Sequence, residues 1–118
     1  MSPTEGAARE ALDRLQEERD AGAPPPDPNP ERLPLAALHT VPEAFQGRHP
    51  LLSMTRFGET AGELLRRIRQ GIELDPMKVW WSGARWIVLD GHHRLEAYRV
   101  AAARERTPPE SYAVPVRA

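Results

Sequence analysis

Six prolines fall within the twelve residues 23–34, APPPDPNPERLP. No helix and no interior strand runs through such a stretch, because each proline fixes φ and removes an amide donor. The segment reads as an extended, semi-rigid connector. It divides the chain into a front of residues 1–22 and a body of residues 35–118, large enough for one modest hydrophobic core and too small for two.

The front begins Ser2-Pro3-Thr4-Glu5, a capping-box arrangement with Ser2 as N-cap, Pro3 in the first helical position and Glu5 reaching back. A helix to about Asp20 follows. Its apolar residues, Ala8, Ala11, Leu12 and Leu15, are few and small, so it is expected to dock weakly, to reach another chain or to remain solvated.

In the body, LPLAALHTV supplies a first strand and PEAFQGRHPLLSM a loop carrying Arg48 and His49. Thr60 and Glu63 repeat the capping-box spacing, Leu64, Leu65 and Ile68 share one helical face, and Gly71 stands where a C-terminal cap belongs, which predicts a helix over 60–70. MKVWW and ARWIVLD, separated by Ser82-Gly83, are rich in β-formers and predict an antiparallel hairpin. Trp80, Trp81 and Trp86 then belong to the core and rim of that sheet rather than to a base-stacking platform. After Gly91 the apolar period changes: Leu95, Tyr98, Ala101 and Ala102 follow helical spacing, giving a helix over 92–105. YAVPVR ends the chain as an edge strand, since Pro115 lacks a donor. The expected fold is α/β in the α+β sense: a small mixed sheet of about four strands flanked by helices, with an N-terminal helix on a proline-rich tether.

Composition narrows the chemistry by exclusion. There is no cysteine, hence no disulfide, thiolate zinc site or thiol nucleophile. No apolar run approaches membrane-spanning length and no secretion signal opens the chain, so a cytoplasmic protein with no membrane partner is expected. The net charge of -1 gives no general affinity for polyanions, although the front is acidic and the body basic. The sole lysine, Lys78, follows no GxxxxG loop, which excludes a P-loop. The sole asparagine, Asn29, lies in the proline segment, so the paired histidines are not those of an HNH-type nuclease.

The pattern IVLDGHHRLEAYR, residues 87–99, carries the chemistry. A strand that ends in Asp-Gly and opens a helix aims free backbone N–H groups at one point, a ready anion site. Gly91 permits a left-handed turn or close approach of a ligand, and Arg94 offers a planar fork for phosphate oxygens. His92 and His93 add donors, or serve as general acid and base. Asp90 can cap the helix, orient a histidine or hold a magnesium ion that bridges phosphates. Zinc held by both histidines is disfavoured, because adjacent residues do not share a helix face.

The helix GELLRRIRQGIELDPMKVWW followed by RWIVLDGHHRLEAYR and a short strand resembles the N-terminal, nuclease-like domain of the ParB/sulfiredoxin superfamily over roughly residues 33–118. In ParB proteins the corresponding turn reads GERRxxA and cradles the triphosphate of a nucleotide with magnesium; Gly91, Arg94 and Ala97 match, while His92 and His93 replace Glu and Arg. In sulfiredoxins it reads GGCHR; His92 stands at the cysteine position, so sulfinic-acid reduction is out. FQGRH resembles the ParB box with Gln-Pro-Arg, which implies Arg48 near the nucleotide, with Gly47 in place of proline. The DGHHR form also resembles ParB-like ADP-dependent serine kinases, which makes Glu43 the candidate base.

The resemblance implies a module that holds CTP or ATP with magnesium through Gly91, His92, His93, Arg94 and Arg48, with Asp90 on the metal, and that acts as a switch in DNA partitioning or regulation. DNA would be reached through a domain outside this chain, and self-association is possible. The alternative is a phosphoryl-transfer or nuclease-type enzyme (NTPase, ADP-dependent kinase or DNase) using His92, His93 and magnesium. A third reading is an interaction module that kept the fold and lost the ligand. ParB proteins continue into a helix-turn-helix domain, so the chain is expected to be either the front of a longer protein or a freestanding module.

Overall fold

The computed structural model describes residues 3–45 and 61–118, with side chains over 6–42, 44 and 62–118. Arg48, His49, the N-cap residues Ser2 and Thr60 and the side chain of Glu43 lie outside the described residues. Along the chain come α1 (Pro3–Ala21), β1 (Arg32–Pro34), a single 3₁₀ turn (Leu35–Ala37), β2 (Leu38–His39), α2 (Pro42–Phe45), α3 (Ala61–Arg69), β3 (Met77–Trp81), β4 (Trp86–Asp90), α4 (His92–Arg104) and β5 (Ala113–Arg117).

The strands form one mixed sheet in the order β1-β5-β3-β4-β2. β1 and β5 are antiparallel, β5 and β3 parallel, β3 and β4 antiparallel, β4 and β2 parallel. The α+β class and the β3–β4 hairpin agree with the sequence pattern; the strand count is five rather than about four. The stretch expected as one first strand is two, on opposite edges of the sheet. Pro34, at φ -67 and ψ 148, precedes the 3₁₀ turn. The amides of Leu35 and Ala36 then donate to Tyr112 O (2.9 Å) and Pro109 O (3.1 Å) rather than to a ladder.

β5 is not an edge strand. Pro115 stands opposite Arg32, and the hydrogen bond to the β1 side falls on its neighbour, Val116 N donating to Glu31 O at 3.0 Å. On the other side the parallel ladder to β3 begins only at Met77 and Val116. The proline therefore sits in a row between two strands at a position where neither ladder needs its N–H.

One face of the sheet carries the main core. Met77 and Val79 of β3, Trp86 and Val88 of β4 and Val114 and Val116 of β5 pack with Leu64, Leu95, Ala97, Tyr98 and Ala102 of the two helices α3 and α4. α3 ends as its sequence predicts, in a Schellman motif: Gly71 has φ +80, its N–H donates to Ile68 O and that of Ile72 to Arg67 O, both at 3.0 Å.

The opposite face belongs to α1, which is docked rather than solvated. Trp80 and Ile87 are register partners on that face. Arg19 of α1 stands over the Trp80 ring, 5.1 Å from its centroid. Ile87 is fully buried although it lies outside the main core, and Leu15 of α1 is buried too. Two such side chains contribute about 1.5–3 kcal/mol each. Polar contacts supply what the thin apolar stripe lacks. Glu18 accepts from Ser82 Oγ (2.7 Å), Arg85 Nε (3.0 Å) and Arg85 Nη2 (3.3 Å) at the hairpin turn. Gly22 crosses Gly83 backbone to backbone, so closely that a Cβ on Gly22 would lie 2.4 Å from Gly83 Cα. Ala23 N donates to Gly83 O at 2.9 Å, and Trp81 Nε1 to Ala23 O at 2.7 Å. The proline segment thus begins pinned to the hairpin, and its last three residues are β1.

Candidate functional site

β4 reaches the site through a bulge. Lys78 is opposite Asp90 and Val79 opposite Val88, so Leu89 is the extra residue on β4. Strict alternation from Trp86 and Val88 would put Asp90 on the core face. The bulge turns it to the face of Lys78 instead, and both are exposed. The apolar run WIVLD shows no alternation, so nothing in the sequence signals the inserted residue.

Gly91 is the N-cap of α4, left-handed at φ 107 and ψ 27, and no side chain caps the helix. Asp90 is therefore the last residue of β4 and not the cap; a backbone at this φ is glycine's, and the side chain before it does not reach the first turn. The chain closes the first helical bond with Leu95 N donating to Gly91 O at 2.9 Å. The amides of His92, His93 and Arg94 belong to the first turn and have no intrahelical acceptor, so their partial positive charge is open to an anion.

Gly91 also has no room for a side chain. A Cβ there would lie 2.7 Å from Met77 Cγ, 3.2 Å from Met77 Cβ and 3.5 Å from Arg94 Nη1. Met77, at the start of β3, is the floor of the turn, and Arg94 is folded back beside it. Sequence reading missed Met77; the register of the β3–β4 hairpin, shifted by its bulge, brings it here.

Arg94 Nη1 donates to Pro76 O at 3.5 Å. One turn on, Tyr98 Oη accepts from Leu74 N at 3.3 Å. Residues 94 and 98 share a helix face, so together they hold the segment Leu74–Pro76 that leads into β3. The bond from Arg94 is long and uses one N–H of five; its other donors have no partner among the described residues. Burial pushes the Tyr98 hydroxyl above the usual phenol range, so it stays neutral and keeps this role.

His92 is half-buried, and its Nε2 is buried with no hydrogen-bond partner among the described residues. Burial pushes its imidazole below the usual histidine range, against the opposing pull of Asp90's carboxylate. It therefore takes up its proton at lower pH than an ordinary histidine. His93 is also half-buried on the same first turn. The geometry brings Gly91, His92, His93 and Arg94 together with Asp90 at one strand-to-helix turn. Glu43 lies in α2, on the segment after β2.

No group of three or more His, Asp or Glu side chains that could enclose a metal occurs among the described residues. A magnesium ion held by one carboxylate and by phosphate oxygens needs no such group. Asp90, exposed next to the uncapped turn, fits that mode. Among the described residues no helix is long and apolar enough to cross a membrane. Comparison with protein-family models, with curated proteins and with solved structures returns no match.

Proposed function

We propose that this chain binds the phosphates of a nucleoside triphosphate, CTP or ATP with magnesium, at the start of α4, and acts as a nucleotide-dependent switch in DNA partitioning or regulation. The observation that carries the reading is the left-handed Gly91 at the head of α4, uncapped by any side chain, with the Arg94 guanidinium folded back beside it. A helix that lacks its own cap and presents a fork of donors at the same point is suited to an anion supplied from outside.

In this reading the left-handed turn at Gly91 presents the amides of His92 and His93 to the phosphate oxygens, and Arg94 clamps them. Magnesium, with Asp90 as its protein ligand, would neutralise charge on the phosphate chain. Arg48, implied by the resemblance, would approach from the segment after α2. The helix terminus and one charged clamp supply a few kcal/mol together, which suits micromolar rather than nanomolar affinity and hence a reversible switch. DNA would be engaged through a domain outside this chain or through a second copy.

The test is calorimetric titration of the chain with CTP, ATP, ADP and GTP, each with and without magnesium. Saturable heat from one of them names the base. Arg94→Ala is expected to weaken that binding at least about tenfold, one charge-assisted bidentate contact being worth roughly 1.5–3 kcal/mol. Retained affinity in a folded Arg94→Ala chain, or silence from all four nucleotides, overturns the assignment.

One observation favours a second reading, a phosphoryl-transfer or hydrolytic enzyme. The imidazole of His92, which burial holds below the usual histidine range and whose Nε2 has no partner among the described residues, would take a proton from an attacking hydroxyl once substrate binding uncovers that buried nitrogen. Turnover of the bound nucleotide that follows a histidine titration and vanishes in His92→Gln would establish it. A nucleotide that binds and stays intact would remove it.

A further inference from the structure

A cavity lies between α1 and the chain just after β2, with Arg85 of the β3–β4 turn in its lining. It measures about 350 Å³ and is open to solvent on one side, at the lower end of the size range of small-molecule sites. Ala11, Leu15 and Val41 line its apolar side, and Glu10, Arg14, Thr40 and Arg85 supply the polar groups.

Two features define the charge set at the rim of this cavity. Glu10 and Arg14 are four apart on α1, acid before base, the spacing and order that favour a direct pair on a helix. Yet neither makes a hydrogen bond or ion pair among the described residues; both line the cavity instead. Arg85, by contrast, is already matched, since it gives Nε and Nη2 to Glu18. It therefore brings spare donors without spare charge. The cavity thus offers one unmatched carboxylate, one unmatched guanidinium and an apolar wall.

That set selects its ligand by elimination. A phosphate or dicarboxylate would face the Glu10 carboxylate, and a purely apolar molecule would bury both charges unpaired, each at a cost. A molecule with an ammonium and a carboxylate on one carbon, and an apolar side chain, matches Glu10, Arg14 and the apolar wall together. We infer that the α1 cavity is a binding site for a zwitterionic α-amino acid, with its ammonium on Glu10, its carboxylate on Arg14 and its side chain against Leu15 and Val41. This site is independent of the nucleotide reading. Because its walls are α1 on one side and Thr40–Pro42 on the other, an occupant would fasten α1 to the segment that begins α2.

Titration of the ¹⁵N-labelled chain with leucine tests it. The expected result is saturable movement of the Ala11 and Val41 amides, with isovalerate and isoamylamine, each of which keeps only one charged end, at least about tenfold weaker. Glu10→Gln and Arg14→Gln are each expected to weaken leucine by about tenfold. Both residues are exposed, so the fold survives, and the Trp81 indole N–H, bonded to Ala23 O, reports that α1 stays docked. No saturable movement of these amides, binding of isovalerate equal to that of leucine, or unchanged leucine affinity in both variants overturns the inference.

Discussion

Replacing Gly91 by alanine, beside the same change at Gly71, isolates the packing under the candidate site. Both glycines are left-handed, at φ +107 and +80, but a Cβ at Gly71 meets nothing within 4 Å, whereas one at Gly91 meets Met77 Cγ at 2.7 Å. The backbone strain is common to both and costs about 1–3 kcal/mol, offset by up to about 1 kcal/mol from the stiffer unfolded chain. Met77 is 0% exposed and cannot swing aside into solvent, so displacing it adds an overpacking cost of about 1–3 kcal/mol. The expected losses are about 1 kcal/mol for Gly71→Ala and about 3 kcal/mol for Gly91→Ala. Urea denaturation followed by circular dichroism measures both, and in thermal melts the difference of about 2 kcal/mol corresponds to roughly 8 °C for a domain of this size. A second comparison sharpens the result: in a Met77→Ala background the added cost of Gly91→Ala should shrink by about 1 kcal/mol or more, because the obstruction has been removed. Equal losses for the two glycine changes, or strict additivity with Met77→Ala, would refute the argument that Met77 floors the turn.

The clasp of α1 and the titration of His92 give further tests. Glu18→Ala leaves the hydroxyl of Ser82, which is 0% exposed, without its acceptor, and is expected to cost about 1–3 kcal/mol; a Glu18→Ala/Arg85→Ala cycle showing no coupling would contradict the pairing. The Arg85 guanidinium beside it also holds the Glu18 carboxyl below the usual carboxylate range, so this contribution persists at neutral pH and is lost in acid as pH falls through that lowered value. Gly22→Ala drives a Cβ into the backbone of Gly83 and should loosen α1, read as faster exchange of the Trp81 indole N–H; unchanged protection would show that the helices and hairpin do not cross there. For His92, whose native value lies below its unfolded one, the unfolded chain takes the proton first. Stability is then full above about pH 6.5 and declines as pH falls below it, with a slope of at most about 1.4 kcal/mol per unit. His92→Gln should flatten that decline; a profile identical to that of the unaltered chain would count against the buried imidazole.

What sequence reveals here, and what it does not, follows from the range of the interactions. The end of α3 is readable because Gly71 and the Leu64–Ile68 stripe are neighbours in the chain, and the hairpin is readable because its two strands lie four residues apart. The turn at Gly91 is readable because Asp-Gly and a change of apolar period are local signals. The docking of α1 is not, since its apolar stripe is thin and its partners, Ser82 and Arg85, stand more than sixty positions away. Pro115 misleads for a related reason. An interior strand tolerates a proline where both ladders skip its amide, and that depends on the register of two other strands. Asp90 is legible as a candidate ligand but not as a non-cap, because the bulge at Leu89 that reorients it exists only against β3.

β4 ties the two halves of the molecule together and also keeps them apart. Its first residue, Trp86, adjoins the turn where Glu18, Ser82 and Arg85 fasten α1, and its last, Asp90, adjoins the uncapped start of α4. Five strand residues separate these ends by about 13 Å, and the bulge lies between them. The acidic helix is thus anchored at one end and on the back of the sheet, while the turn proposed to receive phosphate lies at the other end, where the chain passes into the α3–α4 layer. This spacing sets the clasp of α1 and the turn at Gly91 at opposite ends of one strand. It also means that loosening α1 should lower stability without altering the affinity of the α4 turn. Gly22→Ala and Arg94→Ala should therefore fail in opposite assays, the first in denaturation and the second in nucleotide titration. A loss of nucleotide affinity in a folded Gly22→Ala chain would instead mean that the docking of α1 is coupled to the site.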